Sequence, residues 1–151
     1  MEISSIIRKT ATDLRGLPNW TDFETERRDF QWESVARQLG GEAGKPVNIA
    51  QLALEAPDRA KEKTAYRFLS RGAPARDMSY GALAGAANRF CNVLRGLGVR
   101  PVERVFVLAG RIPELYVAVL GALKNGNIVS PLFSAFGPEP IATRMNLGGG
   151  R

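Results

Sequence analysis

Val105-Phe106-Val107-Leu108-Ala109, then Pro113 to Lys124, then Asn125-Gly126, then Ile128-Val129-Ser130-Pro131-Leu132: this stretch decides how the chain is read. The first run is apolar without alternation, the pattern of a parallel strand covered on both faces. Pro113 suits the first turn of a helix, where a missing N–H leaves no bond unmade. Asn125-Gly126 stops that helix, and Ile128 to Leu132 reads as a second apolar strand, halted at or just beyond Pro131. Strand, crossover helix and strand make one right-handed βαβ unit.

Upstream lies the clearest helix. Leu83, Ala87, Phe90, Leu94 and Leu97 recur in steps of four and three, one helical face. Ser79 stands at its N-cap, and Gly98 followed by Val99 fits a left-handed C-cap. Pro101 forbids continuation. Gly81 and Gly85 on this helix predict close packing against a neighbour. Downstream, Pro138 and Glu139 open a last helix that runs to Leu147 and ends at Gly148-Gly149-Gly150-Arg151. Nearer the N-terminus, a helix is expected from Thr21, with Thr21 and Glu24 as a capping box and Gly40-Gly41 as its stop. It carries Phe23, Phe30, Val35 and Leu39. Asn48 caps a short helix carrying Ile49, Leu52, Ala53 and Ala56, stopped by Pro57. Thr64 to Leu69 is β-prone, and Arg71 to Arg76 reads as a loop with a soft domain boundary. Trp20 and Trp32 are expected to anchor the N-terminal region on the rest of the fold.

Composition narrows the function classes. The chain has 151 residues, 44% of them hydrophobic and 24% charged. That is globular and excludes a collagen-like or wholly disordered chain. There is no histidine, which excludes His-dependent triads and His metal ligands within these residues. Cys91 is the sole cysteine, so no intrachain disulfide forms, and an inert helix thiol is expected. The longest apolar run, Tyr116 to Leu123, is far short of the roughly 20 residues a membrane span needs. No signal-peptide core is evident, so a cytoplasmic protein without a membrane partner is expected. The net charge is +6. Residues 76–151 hold nine basic and four acidic groups, against twelve and eleven in residues 1–75. Arg89, Arg95, Arg100, Arg104 and Arg111 form no run, and no nucleic-acid partner is expected.

A second set of residues comes as an ordered series. Ser79-Tyr80-Gly81-Ala82-Leu83, Ala87-Asn88-Arg89-Phe90, Leu97-Gly98-Val99-Arg100-Pro101 and Glu103-Arg104-Val105 are followed by Arg111-Ile112-Pro113-Glu114-Leu115. Then come Gly121-Ala122-Leu123-Lys124-Asn125-Gly126 and Pro131-Leu132-Phe133-Ser134-Ala135-Phe136-Gly137-Pro138-Glu139. The series resembles the N-terminal part of AMP-forming acyl-CoA synthetases, most of all acetyl-CoA synthetases. Phe30-Gln31-Trp32-Glu33, Gly44 to Ala50 and Lys63-Thr64-Ala65-Tyr66 resemble the N-terminal extension of that subgroup. Two departures stand out. The family usually places Gly after the Pro of the turn before the strand, and here Val102 stands there, so a strained turn is expected. Asn127 replaces a small apolar residue at the strand entry.

The resemblance implies an α/β fold. Residues 1–72 would be a mostly helical extension. Residues 73–151 would begin an incomplete three-layer parallel-sheet domain, the start of the large domain of adenylate-forming enzymes. It implies a ligase joining acetate, or another short carboxylic acid, to coenzyme A, with ATP consumed and magnesium required. The ATP and magnesium sites would lie outside this chain, because no Ser/Thr/Gly-rich loop ending in Lys is present. The chain would then be an N-terminal fragment, inactive alone, whose partner is the C-terminal part of the same enzyme. No catalytic or metal-binding residue is assigned.

One site remains. Ligands of open α/β sheets gather beyond the carboxyl ends of the strands. Phe133, Ser134 and Ala135 follow the second strand directly. In the family the matching residues lie against the CoA nucleotide: the ring on adenine, the small residues beside pantetheine. Read only as an apolar aromatic, Phe133 belongs in the core. Two other readings compete with the ligase: a standalone CoA- or nucleotide-binding or interaction module, and a basic nucleic-acid binder. Glu139 and Arg144 read as a local helix pair or as surface charges.

Overall fold

The computed structural model describes residues 22–39, 46–55 and 61–149. In chain order the elements are α1 (Phe23–Asp29), α2 (Trp32–Gln38), α3 (Ile49–Glu55), β1 (Thr64–Ser70), β2 (Ala73–Ser79) and α4 (Tyr80–Gly96). Then follow β3 (Arg104–Leu108), α5 (Pro113–Lys124), β4 (Ile128–Leu132) and α6 (Pro138–Leu147). The chain is an α/β fold. β3 and β4 pair in parallel, with Val105 opposite Val129 and Val107 opposite Pro131, and α5 crosses between them. β1 and β2 form a separate antiparallel hairpin.

The core lies where α3, α4, α5 and the hairpin meet. Leu54, Leu83 and Ala87 are buried at its centre, with Tyr66, Met78, Tyr116 and Leu120 packed around them. The rings of Tyr66 and Tyr116 lie 4.3 Å apart, which ties the hairpin to the crossover helix. Leu83, Ala87, Cys91 and Leu94 form the buried stripe of α4, in phase with the expected helical face. Leu97 departs from it: as the C-cap residue it is exposed. Cys91 is a free, buried cysteine on that stripe.

Both long helices end in the same way. Val99 N–H donates to Leu94 O and Gly98 N–H to Arg95 O. Asn127 N–H donates to Ala122 O and Gly126 N–H to Leu123 O. These are the paired bonds of a Schellman motif, and they need a left-handed residue, supplied by Gly98 (φ 77°) and Gly126 (φ 84°). The close helix approach falls elsewhere than expected. It is at Gly121 of α5, where an added Cβ would sit 2.8 Å from Ala87 O and 2.9 Å from the Phe90 ring. At Gly85 only the Arg89 side chain comes near, and at Gly81 the neighbour is the Lys61 backbone.

Several expectations need correction. The helix expected from Thr21 is two helices. Phe30 (φ −62°, ψ 128°) and Gln31 (φ −133°, ψ 123°) are extended between them. The cap of α1 is Asp22, which accepts from Glu24 N–H and Thr25 Oγ1, while Thr21, Trp20, Gly40, Gly41 and Pro57 lie outside the described residues. Trp32 does not anchor these helices on the core: it is 74% exposed and meets Phe30 edge to face at 4.9 Å.

The expected loop Arg71 to Arg76 is the turn and first half of β2. Ala73 and Pro74 lack strand character, but pairing with β1 supplies it, with Arg67 opposite Asp77 and Phe68 opposite Arg76. The hairpin thus crosses the expected boundary between residues 72 and 73. The strand expected at Val105 to Ala109 begins one residue earlier, at Arg104. No helix among the described residues is long and apolar enough to cross a membrane.

Candidate functional site

The parallel pair has two ends, and the expected site is at the carboxyl end. Leu132 fills the last inward position of β4 and is buried. Strand alternation then turns Phe133 outward. It is 65% exposed, which corrects its reading as core. Ser134 and Ala135 form the exposed turn that follows. Phe136 N–H donates to Phe133 O at 3.0 Å and closes that turn, and the two rings meet at 5.6 Å and 84°. α6 starts just beyond, with Pro138 in its first turn. The structure thus brings an exposed aromatic face and two small residues together where ligands of parallel sheets bind.

Arg144 joins this group. Its guanidinium carbon lies 4.0 Å above the Phe136 ring, and Nη1 donates to Pro140 O at 3.0 Å. Arg144 is exposed, as the surface-charge reading expects, but neither that reading nor the helix-pair reading includes the ring. The contact spans eight residues across a turn, and no local period encodes it.

The amino end of the pair is built from buried amides. Asn125 is 4% and Asn127 5% exposed. Asn125 Nδ2 donates to Asn127 Oδ1 and to Val99 O, and its Oδ1 accepts from Arg95 Nε at 3.0 Å. Asn127 Nδ2 donates to Arg100 O and Glu103 O at 2.8 and 3.1 Å. These bonds grip the turn from Arg100 to Glu103, in which Val102 stands at φ 69°. Glu103 N–H bonds to Arg100 O across it, and the positive φ after Pro101 makes it a type II turn, a position that favours glycine. The expected strain is present, and the unusual Asn127 is one of the groups that hold it.

A cleft of about 680 Å³ opens beside this turn, lined by Leu94, Val99, Val102, Arg100, Arg104 and their neighbours. It lies at the wrong end of the strands for a ligand site of this fold class. A smaller hollow of about 290 Å³ sits over the core between Leu54, Tyr66, Tyr80 and Leu120. Among the described residues no group of three or more Cys, Asp or Glu side chains is placed to hold a metal ion.

Asn48 was expected to cap α3 and does more. Its Oδ1 accepts from Ala50 and Gln51 N–H, while Nδ2 donates to Leu123 O and Lys124 O. One side chain satisfies the start of α3 and the end of α5, and a Lys124–Glu55 ion pair lies beside it.

Known proteins share this fold and sequence. The sequence model of the AMP-binding family, described as AMP-binding enzyme, matches residues 54–149. Acetyl-coenzyme A synthetase of Bacillus subtilis is 31% identical over 140 residues, covering 91% of this chain and 24% of the relative. That of Chlorobaculum tepidum is 29% identical over 134 residues, 84% of this chain and 20% of the relative. The crystal structure of Brucella canis acyl-CoA synthetase superposes with a TM-score of 0.74 at 26% identity, over 84% of this chain and 23% of that one. A benzoate CoA ligase from Burkholderia xenovorans gives 0.57 at 29% identity, over 67% of this chain and 20% of that one. The chain spans about a fifth to a quarter of the length of the curated relatives it matches. By fold and by sequence, the chain belongs to the AMP-binding enzyme family.

Proposed function

We propose that the chain is the N-terminal part of an acetate–CoA ligase. An acetate oxygen attacks the α-phosphorus of ATP and expels pyrophosphate, leaving acetyl-adenylate. The CoA sulfur then attacks the acetyl carbonyl carbon and expels AMP, giving acetyl-CoA. The observation that carries this reading is the match to acetyl-coenzyme A synthetases across most of the chain. Residues 1–72 are the extension and residues 73–151 the start of the AMP-binding domain, with the β1–β2 hairpin as the seam. The whole enzyme is cytoplasmic.

Within these residues the role is to receive coenzyme A. Phe133 offers its exposed ring to adenine, and Ser134 and Ala135 leave room for the pantetheine arm. Base stacking on an exposed aromatic is worth about 1–3 kcal/mol. No step is assigned to magnesium, and no residue of this chain is placed in the chemistry. The chain alone is therefore inactive.

Two measurements test the proposal. The reading frame after Arg151 is expected to encode a Ser/Thr/Gly-rich loop ending in Lys. A stop codon there in an intact transcript favours a standalone binding module instead. In the ligase encoded by the continuous frame, Phe133→Ala is expected to raise KM for CoA about tenfold or more while KM for ATP and acetate stays put. An unchanged KM for CoA removes Phe133 from the site.

A further inference from the structure

An exposed phenylalanine ring is a poor stacking surface unless something fixes its direction, because its side chain is free to change rotamer. Phe133 has such a support. The Phe136 ring stands nearly perpendicular to it, with centroids 5.6 Å apart. Phe136 is in turn covered by Arg144, whose guanidinium carbon is 4.0 Å from its centroid. The Arg144 guanidinium is itself tied to α6 through Pro140 O. The turn bond from Phe136 N–H to Phe133 O fixes the backbone between the rings. The chain of contacts runs from helix to cation to ring to ring.

We infer that Arg144 is a positioning residue: through Phe136 it sets the direction of the Phe133 ring and so presents a ready stacking face to a purine. This rests on the CoA reading of the Phe133 turn. In this reading Arg144 acts through Phe136 and not on the purine directly. It acts by lowering the ordering cost that binding otherwise carries.

The test uses the ligase encoded by the continuous frame, with adenosine and adenosine 3′,5′-bisphosphate as probes in NMR titrations read at the Phe133 and Phe136 rings. In Arg144→Met, the cross-peaks between the Phe133 and Phe136 rings are expected to weaken. Both probes should bind about twofold to fivefold less tightly, the fold-change of one exposed cation–π contact. Arg144→Lys keeps the charge and should recover part of both effects. Ring cross-peaks left intact in Arg144→Met overturn the inference. So does a loss confined to the bisphosphate, since that marks a direct charge contact with phosphate. The underlying CoA reading fails separately, if Phe133→Ala leaves adenosine binding unchanged.

Discussion

At the amino end of the β3–β4 pair, polar groups are buried and paired; at the carboxyl end, an aromatic ring is exposed. Asn125 and Asn127 are almost wholly covered, and each amide bonds to several partners. Phe133, a few residues on, keeps most of its surface in solvent. Ordinary burial rules favour the reverse. The amide end has a structural reason: two helix ends and one strained turn converge there, and their free carbonyls need donors. The aromatic end has no such reason within the fold. The amide inversion is explained by local hydrogen bonding and marks a structural joint; the exposed ring is singled out by its place, beyond the carboxyl ends of the parallel strands where ligands gather.

Breaking the amide end should have the largest effect. Asn125→Leu removes the partner of Val99 O, Asn127 Oδ1 and Arg95 Nε together. It is expected to cost about 3 kcal/mol in urea unfolding, since each stranded buried group costs about 1–3 kcal/mol. A loss under about 1 kcal/mol contradicts the joint. Val102→Gly acts in the other direction. It relieves a β-branched residue from positive φ, at some cost in unfolded-chain entropy, and should stabilise by about 1 kcal/mol. Combined with Asn127→Ala the two changes should not add, because both act on the Arg100–Glu103 turn.

The two ends also differ in how far the sequence discloses them. Gly98-Val99 and Asn125-Gly126 are local signals, and both helix stops are legible from them. The phase of Leu83, Ala87 and Leu94 likewise placed the core face of α4. Nothing local shows what Asn125 and Asn127 hold, because the partner of Asn125, Val99 O, and those of Asn127, Arg100 O and Glu103 O, come from the segment that precedes β3. The direction of Phe133 depends on which strand residue, here Leu132, is last to face inward. The Arg144–Phe136 contact depends on where α6 starts. β2 is not legible in the sequence, because Ala73-Pro74-Ala75-Arg76 has neither alternation nor β-branched residues and only its partner strand makes it a strand. The break between α1 and α2 is hidden in the sequence because the apolar spacing continues across Phe30 and Gln31.

The carboxyl end should tolerate change. Phe133→Ala is expected to alter unfolding free energy by no more than about 0.5 kcal/mol, as for surface sites generally. Its effect on CoA affinity should be much larger. A destabilisation of about 2 kcal/mol or more would make the ring a packing element and erase the contrast between the two ends.

The smallest effect calibrates the others, because it comes from a polar pair outside both ends. Arg67 and Asp77 meet across the hairpin in a two-bond fork, each bond 2.7 Å long, and both side chains reach solvent. The hydrogen bonds from Arg67 hold the Asp77 carboxyl below its ordinary value. A carboxylate whose pKa is lower folded than unfolded adds stability above the unfolded value, about pH 4. That share is lost as pH falls through the folded value. Asp77→Asn should lower Tm slightly at neutral pH and flatten the acid limb of a Tm-against-pH curve. The penalty of Asn125→Leu should be the same along that whole curve, since an amide does not titrate. If the two penalties vary with pH alike, the amide joint is coupled to ionisable groups, and hydrogen bonding alone does not account for the buried end.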